Sequence, residues 1–163
     1  MKNSRLKAAL ASLSHRRSDF AVGALSGLAG GFAYLAEMEA DLRAFDYNAD
    51  DRILLAGLIV KDSEAAKVAG TIIHLANSVV VGIVYETLVQ QRLRGSGWTR
   101  GVMFASSENL GLYALMKLER YHPAIRDGRL ASYWTKTAFL QGIMRHMAFG
   151  AALGWTADRL QRR

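Results

Sequence analysis

Apolar residues dominate four stretches of this chain, and polar residues collect at their ends and at one level inside them. The stretches cover 20–38, 68–88, 98–116 and 133–155, each near the ~20 residues a helix needs to cross a bilayer. Phe20 to Ala36 carries no charge, and neither does Val68 to Tyr85. A surface helix of a soluble bundle sets an apolar stripe against a charged face. The pattern here instead predicts an all-α integral membrane bundle of four transmembrane helices. In chain order they form two helical hairpins, 20–88 and 98–155.

One spacing occurs twice. Gly70-x3-His74-x7-Gly82-x3-Glu86-x-Leu88 returns as Gly142-x3-His146-x7-Gly154-x3-Asp158-x-Leu160, every position displaced by 72. The second helices of the two hairpins run the same way, so the spacing predicts an internal duplication about an axis along the membrane normal. Gly23 and Gly101 align the first helices, with little else in common.

Outside the four stretches, residues 1–19 are basic. Leu6, Leu10, Leu13 and Arg17 fall on one helical stripe, which predicts an amphipathic surface helix ahead of a membrane domain over 20–163. A disordered basic tail is the alternative. The loop from Glu39 to Lys67 carries Asp41, Asp46, Asp50 and Asp51. Asp50 or Asp51 can cap a short apolar helix, Arg52 to Val60, too short to span and expected at the outer interface or over the bundle mouth.

Composition refines this picture. The mean hydropathy of +0.06 is low for a membrane protein, which the polar clusters inside the stretches explain. There are 15 glycines and one proline. Gly23-x3-Gly27-x3-Gly31 forms a small-residue face that predicts close helix packing, within the chain or between copies. There is no cysteine, hence no disulfide or thiol chemistry. No cleavable signal peptide is expected, since the basic start leads into a full-length span.

The net charge of +7 does not require nucleic acid as a partner, because it is unevenly placed. Lys2, Arg5, Lys7, Arg16 and Arg17, then Arg92, Arg94 and Arg100, then Arg159, Arg162 and Arg163 all fall on one side of the bilayer. Basic excess marks the cytoplasmic side, so both termini are expected there. Lys117, Arg120, Arg126, Arg129 and Lys136 lie opposite and count against it. Tyr85, Trp98 and Trp155 mark one interface, and Tyr121, Tyr133 and Trp134 the other.

Counting ~1.5 Å per residue from those aromatics puts His74, Glu108 and His146 roughly 15 Å below the cytoplasmic interface. Asn77, Ser107, Asn109 and Arg145 lie within a turn of that level. A charged residue there costs about 2.5–3.5 kcal/mol on insertion scales, so these groups are expected to face inward and pair. Glu108 with Arg145 is the expected ion pair, and Asn109, Ser107 or Glu108 the expected partners of the histidines.

The leading reading of this layer is that it holds the helices in register. A path for a proton, ion or small solute is an alternative. A further one is a haem b with His74 and His146 as axial ligands. A metal held by His74, His146 and Glu108 is disfavoured by the charge of Arg145, and no metal ligand is assigned. Glu37, Glu39 and Asp41 can hold a cation at the outer end of the first span, but solvated helix-end charges explain them more simply. P-loop, HExxH, GxSxG and CxxC patterns are absent, and no catalytic residue is assigned.

His74, Ser78 and Tyr85 along one span, Trp98 and Gly101 opening the next, and a last span from His146 to Trp155, Asp158, Arg162 and Arg163 make a recognisable set. On these residues the stretch from His74 to Arg163 resembles bacterial inner-membrane proteins of the YagU type. The resemblance implies a multi-span inner-membrane protein and transfers no site residue. The expected function is a structural or accessory subunit of a membrane complex or homo-oligomer in the lipid bilayer. The alternatives are a channel or transporter and a haem or metal protein.

Overall fold

The computed structural model describes residues 2–162, with side chains from residue 19 onward. It is all-helical: 81% of the chain is helix, with no strand among the described residues. Four long helices carry the fold: α1 (Lys2–Ala44), α3 (Ser63–Val84), α4 (Gly97–Leu115) and α6 (Lys136–Gln161). Two short ones, α2 (Asp51–Ala56) and α5 (Pro123–Arg126), lie in the connections. The expected amphipathic face over residues 1–19 lies outside the described side chains.

Two helical segments, Asp19–Ala44 and Ser63–Arg92, are long and apolar enough to cross a membrane, with mean hydropathies of 1.3 and 1.8. The helices of the second hairpin are of spanning length, 19 and 26 residues, but more polar. Ser106 to Asn109 dilute α4, and Gln141, Arg145 and His146 dilute α6. All four present large apolar side chains outward, among them Phe32, Ile72, Val80, Met103, Leu110, Leu140 and Met147.

Glycine sets the helix pairing. On α1 a Cβ at Gly27 would collide with the Ser78 carbonyl of α3, and one at Gly82 with the Gly23 carbonyl. On α4 a Cβ at Gly101 would strike the Gly150 carbonyl of α6, and one at Gly154 the Gly97 carbonyl. Backbones this close need small residues. Gly31 also abuts Ser78, so the small-residue face of α1 is used inside the chain. The contacts match Gly23 with Gly97 and Gly27 with Gly101, which corrects the alignment of Gly23 with Gly101. Gly82 and Gly154 keep the displacement of 72.

The helices follow the order α3, α1, α6, α4 in a curved row, each antiparallel to the next. Between α1 and α6, Phe149 lies against Gly30, and Tyr34, Met38, Phe149 and Leu153 are buried together. The outermost helices, α3 and α4, do not pack closely on each other; α4 meets the π-turn Tyr85–Val89 that ends α3.

One end of the row is closed by the two connections. Asp50 caps α2 by accepting the Arg52 N–H at 3.0 Å. The expected helix to Val60 stops at Ala56, and α2 lies on α3 where Gly70 leaves room for the Arg52 backbone. Arg129 donates to the carbonyls of Val60 and Gly57, His122 lies 2.9 Å from the Leu54 carbonyl, and Ala131 N donates to Asn48 O. Beneath them Ile53, Ala56, Ala66, Ala124, Leu130 and Ala138 form a second core. Glu119 holds the backbone of Tyr133 and Trp134, so α6 starts at Lys136, capped by Thr135, and not at residue 133.

Candidate functional site

Arg145 is the centre of the interior. It follows Gln141 by one turn on α6, so both side chains reach the same face of α1. There Tyr34, Met38 and Asp41 recur at helical spacing and are buried. Arg145 Nε and Nη2 donate to the two oxygens of Asp41, both at 2.6 Å. Its Nη1 donates to Asp51 Oδ2 and to the Ala49 carbonyl, both at 2.7 Å. Gln141 Nε2 adds a donor to Asp41 at 3.0 Å.

Asp51 is the first residue of α2, carried inward by the connection. Its Oδ2 also accepts the Tyr34 hydroxyl at 2.6 Å. Burial pushes the Asp51 carboxyl up, but the Arg145 guanidinium and the hydrogen bonds from Tyr34 and Arg145 outweigh it. The carboxyl is held below the usual aspartate range. The Arg145–Asp41 pair is almost wholly out of solvent, with side chains 1% and 0% exposed. A buried pair with bidentate geometry and further donors is the arrangement that offsets the desolvation of both ions.

The Tyr34 ring joins this clamp to the histidines. It lies 4.5 Å from the His74 ring and 5.2 Å, edge-on, from the His146 ring. His146 Nδ1 is 2.8 Å from the Gly142 carbonyl, which makes Nδ1 the protonated nitrogen of the neutral ring and leaves Nε2 as an acceptor. His74 Nε2 is buried with no partner.

These groups line a cleft of about 160 Å³. It is lined by α1, α3, α4 and α6, with Asp51, Leu54 and Leu55 of α2 and Tyr133 of the second connection at one end, and it lies between α3 and α4, which do not pack closely. Six of the seven polar residues singled out in the sequence line it: His74, Asn77, Glu108, Asn109, Arg145 and His146. Ser107 does not; it is exposed and donates to Phe104 O on its own helix.

The expected pairings do not form. Arg145 binds Asp41 and Asp51 instead of Glu108, because one carboxylate on α1 matches its fork and the connection delivers the second. Glu108 is half-buried in the cleft wall and has no hydrogen-bond or ion-pair partner among the described residues. Neither histidine bonds to Asn109, Ser107 or Glu108. Asp41, expected as a solvated helix-end charge, is 1% exposed. Sequence reasoning missed Tyr34, Asp51 and Gln141 as site residues. Gln141 at i−4 from Arg145 and Asp41 at i+7 from Tyr34 were the available signals.

A haem between the two histidines does not fit this arrangement. The Tyr34 ring touches both imidazoles and so lies within the disc that a macrocycle held between them would fill. No group of three or more histidine or acidic side chains is placed to hold a metal ion among the described residues.

The opposite end of the bundle holds a second polar set built on the repeated acids. Asp158 accepts the Gly97 N–H at 2.9 Å at the start of α4, where a negative charge favours the helix dipole, and pairs with Arg100 at 2.5 Å. Its counterpart Glu86 accepts from Gln161, which in turn accepts from Gln90 at 2.9 Å. Comparison with known families, curated proteins and solved structures finds no match to this chain.

Proposed function

We propose that the chain is a small integral membrane protein of four spans, built from two duplicated hairpins, that binds a small polar solute in the cleft between α3 and α4 as part of a channel or transporter. The observation that carries this reading is a division of labour. Glycine contacts and the Arg145 clamp hold the helices together, while His74, Asn77, Glu108 and Asn109 stand at an open cleft with no structural bond to make. Ionisable groups at membrane depth that the scaffold does not use mark solute paths. The apolar outer faces of all four helices support membrane insertion, and the Trp98–Trp155 and Tyr121–Trp134 ends suit the two interfaces.

In this reading both termini face the cytoplasm of a bacterial inner membrane, as the basic residues and the YagU-type resemblance suggest. The test is flux of protons and small solutes into liposomes carrying the purified chain. Flux above that of empty vesicles, reduced in Glu108→Gln and His74→Ala, is expected. A second reading, an accessory subunit of a complex or homo-oligomer, is favoured by the exposed apolar side chains along α3 and α4, among them Ile72, Val80, Leu110 and Leu112. It predicts vesicles no leakier than empty ones, and a co-purifying partner lost in Glu108→Gln.

A further inference from the structure

The cleft is short of positive charge. Its floor sets one guanidinium, Arg145, against two carboxylates, Asp41 and Asp51, and every hydrogen bond that Arg145 makes goes to these and to Ala49 O. Glu108 adds a carboxylate in the wall with no partner. Excess negative charge in apolar surroundings is costly without a counter-ion.

The walls around that charge are aromatic: Tyr34, Tyr113, Tyr133, Phe139 and Phe149. One buried polar atom of the lining, His74 Nε2, has no partner. Such an orphan marks the place of a missing partner. A bare metal ion lacks its ligand set here. A carboxylate facing aromatic rings suits an organic ammonium, held by Coulomb attraction and by the ring quadrupoles. The volume of about 160 Å³ admits only a small one; drug-sized pockets run from about 300 Å³ upward.

We infer that the cleft binds a small organic ammonium ion, with Glu108 as its counter-charge and the aromatic walls as its cage. This rests on the solute-binding reading above and names the class of solute. His146 Nε2 and the Asn109 amide oxygen supply acceptors when the ammonium carries N–H groups. Because the cleft lies between helices that do not pack closely, the ammonium arrives either free or on a lipid headgroup.

The test is calorimetric titration of the full chain in detergent with choline and with 3,3-dimethylbutan-1-ol, its uncharged isostere. Choline is expected to bind about tenfold or more tightly than the isostere. Glu108→Gln removes that preference, and Phe139→Leu weakens choline with the helical signal unchanged. Native mass spectrometry separates the sources. A retained ammonium-headgroup lipid that choline displaces marks the lipid; its absence, with choline bound, marks the free ion. Equal binding of choline and isostere overturns the ammonium inference and leaves solute binding intact. If neither binds, and no panel of small polar solutes slows thiol labelling of Asn77→Cys, both fall.

Discussion

Arg145 and Asp41 meet across the α1–α6 interface through two parallel N–H···O bonds of 2.6 Å, although 104 positions separate them in the chain. Each is 1% exposed, so this pair joins the first hairpin to the second where neither has access to water. Removing Arg145 leaves Asp41 and Asp51 without their shared cation, and removing Asp41 leaves the Arg145 fork with Asp51 alone; breaking a buried pair in this way typically costs about 3–5 kcal/mol. Asp41→Ala and Arg145→Met are therefore expected to lower the thermal transition in detergent sharply. Arg145→Lys is expected to restore little, because an ammonium cannot make the bidentate contact.

Gly101 and Gly111 lie ten residues apart on α4 and predict opposite outcomes. A Cβ at Gly101 meets the α6 backbone, whereas one at Gly111 meets nothing within 4 Å. Gly101→Ala is expected to destabilise by about 1–3 kcal/mol, since the helices must move apart. Gly111→Ala is expected to stabilise by up to about 1 kcal/mol through helix propensity alone. Thermal melts of the two variants side by side check this; equal shifts would mean that the α4–α6 seam is not as close as described.

Asp51 makes stability depend on acid. Its carboxyl is held below the ordinary value by Arg145 and Tyr34 despite burial. A depressed folded-state value contributes stability that is fully present above the unfolded value, about 3.9. That stability is lost as pH falls through the folded-state value. Denaturation midpoints are thus expected to hold steady above about pH 5 and to fall below about pH 4. Asp51→Asn should start lower and flatten that acid limb. A variant with the wild-type acid limb would remove Asp51 as its source.

Glu108 behaves differently. With no partner to lose, Glu108→Gln is expected to keep or raise the melting temperature while changing solute binding. A loss as large as that of Asp41→Ala would mean that Glu108 belongs to the scaffold.

Much of the architecture was legible in the sequence because membrane-length apolar stretches and glycine spacing act locally along one helix. Gly23, Gly27 and Gly31 announced a close seam on α1 by their spacing, whereas Gly82 and Gly154 were legible only as members of the repeat. The cleft lining was readable by depth, since counting from Tyr85, Trp98 and Trp155 placed His74, Glu108 and His146 at one level. Pairing was not readable. Glu108 and Arg145 are the nearest opposite charges by depth, yet the partners of Arg145 come from a helix end and from α2. Depth orders residues along a helix, but it does not say which way they point or what a connection brings back inside. Ser107 shows the same limit: it has the right depth and the wrong face.

The central claim is a membrane-embedded bundle with a polar cleft inside it. The absence of cysteine makes single-cysteine labelling its most direct measurement. Asn77→Cys in the cleft, and Phe32→Cys and Ile72→Cys on the outer face, would be expressed in membranes and treated with a small water-soluble maleimide. The account predicts labelling at residue 77, slowed by choline, and none at residues 32 and 72 until detergent is added. Labelling at residues 32 and 72 as fast as at 77 would place the outer faces in water and contradict the membrane bundle.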